Sequence, residues 1–61
     1  MNLYVGLRVL VYVPESGNTV PATVLGVNNM ECVALLADDD GYRRQFDFEF
    51  IIQEHQQKKL V

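Results

Sequence analysis

Apolar residues at every second position constrain this chain more than any other feature. In residues 7–13 Leu7, Val9, Val11 and Val13 fall on one side, with Arg8, Leu10 and Tyr12 on the other. Side chains that alternate with period two belong to a β-strand, and the β-branched and aromatic content fits one. Pro14 to Asn18 are dense in turn formers and end that strand. Residues 19–27 read as a second strand with Val20, Ala22 and Val24 on one face. Pro21 has no backbone donor and predicts an edge or a bulge, and Gly26 predicts a sharp bend. Asn28-Asn29 suits a two-residue hairpin turn.

The third predicted strand spans about 31–37. Asp38, Asp39, Asp40 and Gly41 follow it, and an Asp-Gly step between two apolar runs predicts a tight turn into an antiparallel neighbour. The fourth strand is expected from near Tyr42. Its best stretch is 45–50, with Phe46, Phe48 and Phe50 facing one way and Gln45, Asp47 and Glu49 the other. Ile51-Ile52 breaks the alternation and predicts a tight turn and a short closing strand. The polar tail 53–61 is helix-compatible, with Glu54 and Lys58 spaced i, i+4, although so short a helix needs support from elsewhere.

These elements predict an all-β fold of four to five antiparallel strands over 1–52, followed by the tail 53–61. The first and third strands are partly apolar on both faces. That fits a strongly bent sheet closing into a small barrel, and it also fits a flat sheet that dimerises. The chain has 61 residues, of which 49% are hydrophobic and 21% charged, so one globular unit is expected. A domain of this size buries only about 60% of the surface its unfolded chain exposes and is marginally stable. Cys32 is the sole cysteine, which excludes an internal disulfide and a Cys-rich zinc site. Eight acids against five bases give a net charge of −3, the wrong balance for broad phosphate-backbone binding. No apolar run is long enough to span a membrane, and the N-terminus lacks the basic start and apolar stretch of a signal peptide. A cytoplasmic location is the expectation.

The run from Gly6 through Val9 and Val11, the loop to Asn18, then Val20-Pro21-Ala22-Thr23-Val24, Val33-Ala34-Leu35 and the Asp/Gly turn resemble Tudor domains and related Src-homology-3-type barrels. The resemblance covers roughly residues 5–52 and implies a small barrel fold. Tudor domains that recognise methylated lysine or arginine hold the cation against a cage of aromatic rings. Thr19 and Val20 stand where the family carries Trp and Tyr. Leu35 or Leu36 takes the third-strand aromatic position, and Asp39 or Asp40 replaces the turn tyrosine. The cage is therefore not carried over, whereas Pro21, Ala22 and Val24 match as packing residues.

Catalytic constellations are absent from the pattern. Ser16 is the only serine, His55 the only histidine, and Cys32 has the apolar neighbours of a buried structural thiol. The glycines are scattered one to a turn, so no phosphate loop is expected. With Asp38 as position one of an EF-hand loop, Glu49 falls at position twelve. Tyr42 and Arg43 then occupy positions five and six, where a ligand and a glycine are required, and calcium is not expected. The acids are turn formers that could also pair with Arg43 or Arg44 across the hairpin. No cofactor and no metal are expected.

Tyrosine couples an apolar face to a polar tip and is enriched at binding surfaces. Tyr12, Asp38, Asp39, Asp40, Tyr42 and Arg43 are therefore the candidate partner-binding residues. The expected function is a non-enzymatic protein-interaction module, adaptor or small inhibitor included, whose acidic turn favours a basic partner. Two other readings stay open. One is a structural homo-oligomer joined through Leu10, Tyr12 and Leu36 or through the 58–61 tail. The other is a nucleic-acid-binding barrel, which requires Arg8, Arg43, Arg44, Lys58 and Lys59 to converge on one face.

Overall fold

The structure, a computed structural model, describes residues 2–53. The expectations for the tail beyond Gln53, including His55, the Glu54/Lys58 pair, Lys58, Lys59 and the 58–61 segment, lie outside the described residues. Within them the chain is all-β. Five strands, β1 (Arg8–Val13), β2 (Asn18–Asn28), β3 (Val33–Asp38), β4 (Arg43–Asp47) and β5 (Ile51–Ile52), form one antiparallel sheet in the order β4-β3-β2-β1-β5. A single 3₁₀ turn, Phe48–Phe50, separates β4 from β5.

The long β2 shapes the sheet. It pairs with β1 through residues 18–23 and with β3 through residues 22–28, so the two halves of one strand serve two neighbours. The register shifts between Val24 and Gly26, which is a bulge at the bend that Gly26 predicts. Pro21 pairs with Leu10 of β1 but lies just beyond the β3 ladder, so its missing N–H leaves no gap there. The bend turns one face of every strand inward. Val9 and Val11, Ala22 and Val24, Ala34 and Leu36, with Leu7, Phe46 and Ile51, form the core. Leu10, Tyr12, Thr23 and Leu35 look outward, as period two requires.

Four expectations change. The strand predicted through Phe50 ends at Asp47, because Phe48–Phe50 coil into the 3₁₀ turn that carries the chain over the end of the core. Phe46 is buried there, while Phe48 and Phe50 are half-buried against it. Between β2 and β3 the turn has four residues rather than two. Asn28 closes it by accepting the Glu31 N–H on its side chain at 3.1 Å. Cys32 belongs to that turn and not to β3. It is exposed, with φ of 58°, and so is not the buried thiol its neighbours suggest. Leu36 is 2% exposed and cannot join copies through a surface.

Hydrogen bonds do not close the sheet into a barrel, since β4 and β5 are its two edges. Phe48–Phe50 have left the strand, and Ile51–Ile52 use their pairing on Val11 and Leu10 of β1. Among the described residues no helix is long and apolar enough to cross a membrane.

Candidate functional site

The acidic segment is first a turn. The Asp38 N–H donates to the Tyr42 carbonyl at 2.9 Å, and the Gly41 N–H donates to the Asp38 carbonyl at 3.0 Å. Asp38 Oδ1 accepts the N–H groups of both Asp40 and Tyr42 at 3.0 Å. Gly41 sits at φ of 90°, the left-handed position that ends a three-residue hairpin loop. One carboxylate thus organises the whole connection.

Asp39 faces outward and meets Arg8, not Arg43 or Arg44 as hairpin proximity suggests. The guanidinium of Arg8 donates to both Asp39 oxygens at 2.8 and 3.3 Å and to Thr23 Oγ1 at 2.9 Å. The register explains the choice. Arg8, Thr23, Ala37 and Arg43 form one row across the outer face, and the small Thr23 and Ala37 let Arg8 reach the turn. Arg44 points to the inner face and donates to Glu15 in the β1–β2 loop. The Arg8 guanidinium holds the Asp39 carboxyl below its usual range, and Arg44 does the same for Glu15. Carboxyls lowered in this way stabilise the fold at neutral pH and lose that contribution as pH falls through the folded values. Both are exposed, so the effect is small.

At the end of the core, between the β1–β2 loop and β4, the inner face opens into a cleft of about 200 Å³. Val11, Val13, Val20, Ala22, Leu36 and Phe46 supply its apolar lining, with Asp38, Tyr42 and Arg44 at the rim. The Arg44–Glu15 pair ties β4 to the β1–β2 loop beside it. The Arg44 guanidinium also lies 4.8 Å from the Phe46 ring centroid, within cation–π range.

The six candidate residues do not share one surface. Asp38 and Tyr42 line the cleft, and Tyr42 is 74% exposed. Asp40 is exposed at the turn, Asp39 is engaged with Arg8, and Arg43 lies on the outer face of β4. Tyr12 is on the outer face of β1, its ring stacked on Phe50 at 6.4 Å. Sequence reasoning missed Glu15, Arg44 and the valines beside the loop. Arg44 is in phase with Phe46, and Val13 and Val20 end their inward faces on either side of the loop, so period two was a signal for the lining. No local signal joins Glu15 to Arg44.

A second, shallow hollow lies among Glu31, Cys32, Asp47, Phe48 and Glu49. Among the described residues no group of histidine, cysteine or carboxylate side chains is placed to hold a metal ion.

The fold and cleft define a small five-stranded antiparallel β unit with an apolar concavity at one end. The chain matches no protein-family model and no curated protein.

Proposed function

We propose that this chain is a non-enzymatic protein-binding module of the small-barrel type, similar to Tudor and Src-homology-3-type domains, and that its cleft holds one apolar side chain of a partner segment. The observation carrying this reading is an apolar concavity left open in a chain with so little core. Protein interiors are close-packed, and lining atoms without neighbours forgo dispersion contacts that an incoming side chain restores. Size decides the class of occupant. About 200 Å³ falls below the roughly 300–1,000 Å³ of small-molecule and cofactor sites, and suits a single residue. Tyrosine and arginine at the rim are the residue types that anchor interfaces. The strand order, with β5 returning beside β1 around one core, supports the barrel-type reading, as do the inward Ala22 and Val24 that carry the resemblance.

The charge preference narrows. Asp39 and Glu15 are engaged by Arg8 and Arg44, and Asp38 serves the backbone. Asp40 and the net charge of −3 then favour a basic residue flanking the apolar anchor. The nucleic-acid reading loses support, since Arg8 and Arg44 point to opposite faces and each already meets a carboxylate.

Selection of displayed linear peptides on the protein, followed by amide chemical-shift mapping, tests the proposal. Shifts are expected at Val13, Val20, Tyr42 and Arg44, with Tyr42→Ala weakening capture about tenfold. Shifts confined to Leu10, Tyr12 and Ile52 would move the site to the outer face and end the cleft reading.

A further inference from the structure

We infer that β4 is the contact between two copies of this chain, paired antiparallel edge to edge about a two-fold axis at Gln45. The surface follows from the ladder. Phe48 N–H donates to the Cys32 carbonyl and Asp38 N–H donates to the Tyr42 carbonyl, which marks both as hydrogen-bonded pairs of the β3–β4 hairpin. Alternation then turns the main-chain groups of Phe46 and Arg44 toward β3, and those of Arg43, Gln45 and Asp47 away from it. Nothing among the described residues pairs with that edge. Unpaired edges are templates for another strand unless something protects them.

The side chains specify which strand fits. With Gln45 opposite Gln45 of a second copy, Arg43 of each chain lies opposite Asp47 of the other, on the outer face. Neither Arg43 nor Asp47 forms an ion pair among the described residues, and both are exposed. Cross-strand pairs of opposite charge stabilise such a ladder, and like charges placed there oppose it. On the inner face Arg44 lies opposite Phe46 of the second copy, repeating between chains the cation–π contact already present within one. The register also suits the backbone. The Gln45 pair exchanges two N–H···O bonds, and each Asp47 N–H faces the Arg43 carbonyl of the other chain. A two-fold axis makes this contact self-complementary and closed. The competing head-to-tail pairing, β4 on β5 of the next copy, has only Ile51–Ile52 to offer and no charge to set a register.

Arg44 and Phe46 also line the cleft, but Gln45 and the Arg43–Asp47 pairs lie outside it, so variants at those three positions test the contact apart from what fills the cleft. Sedimentation equilibrium over a concentration series tests it with four variants. The wild-type chain is expected to be a dimer, and Gln45→Pro, which removes the central N–H without touching the β3 ladder, a monomer. Arg43→Asp and Asp47→Arg should each raise the dissociation constant about tenfold or more, because each places like charges in both outer pairs. The double variant R43D/D47R should return to within about threefold of wild type. A wild-type monomer at millimolar concentration would overturn the inference. So would a dimer indifferent to Gln45→Pro, a swap that fails to restore pairing, or an assembly larger than two.

Discussion

At the scale of single residues, Asp38 matters through the geometry of its oxygen more than through its charge. Its Oδ1 accepts two backbone N–H groups that would otherwise point into the turn without partners. Asparagine offers the same acceptor. Asp38→Asn should therefore leave the urea midpoint nearly unchanged, within about 0.5 kcal/mol. Asp38→Ala should cost about 1–2 kcal/mol, since two backbone donors lose their acceptor. This separation lets the acidic turn be neutralised without being unfolded. Cys32 teaches a related lesson. Apolar neighbours on its C-terminal side placed it in a strand, yet the chain needs a left-handed residue there to leave the four-residue turn. The preference of a thiol for burial yields to the backbone.

At the scale of elements, Gly41 in the β3–β4 turn and Gly26 in the β2 bulge show where glycine is required. Gly41 occupies φ of 90°, where a Cβ meets the following carbonyl, and Gly41→Ala should cost about 1–2 kcal/mol in denaturant unfolding. Gly26 marks the bend of β2, but its φ is ordinary and an added Cβ would meet Leu35 Cβ at 4.0 Å, a normal contact. Gly26→Ala should be neutral or stabilise slightly, through a less flexible unfolded chain. A loss comparable to that at Gly41 would mean the bulge needs more than space. The inward faces of β1 and β3, and of β2 as far as Val24, were legible because one periodicity runs through each; beyond the bulge the inward position of β2 moves to Val27. The end of β4 was not, since Phe46, Phe48 and Phe50 keep period two while the backbone changes from strand to 3₁₀ turn. An alternation of aromatic residues reports burial, not dihedral angles. The cleft was half legible. Asp38 and Tyr42 come from one turn, whereas Glu15 and Arg44 meet only because β2 and β3 fold between them.

At the scale of the whole molecule, nine buried hydrophobic side chains among the described residues carry the fold. Stability of roughly 0.05–0.15 kcal/mol per residue gives about 3–9 kcal/mol for a chain of this length. Leu36, 2% exposed where the core meets the cleft, should lose about 2–5 kcal/mol on truncation to alanine. Leu36→Ala is therefore expected to leave a large unfolded fraction at 37 °C, seen as lost amide dispersion in NMR spectra. Small β units have little reserve, so stability that rises with protein concentration would accompany a chain that pairs. Gln53 holds the two ends of the described fold together. Its side chain is buried, and its amide donates to the Asn2 carbonyl at 2.8 Å, because β5 runs back alongside β1. Entry and exit thus lie side by side on one surface. Such a unit can be spliced into an exposed loop of a host protein with little stretching of the host, or reopened at the Met30 turn with its old ends joined.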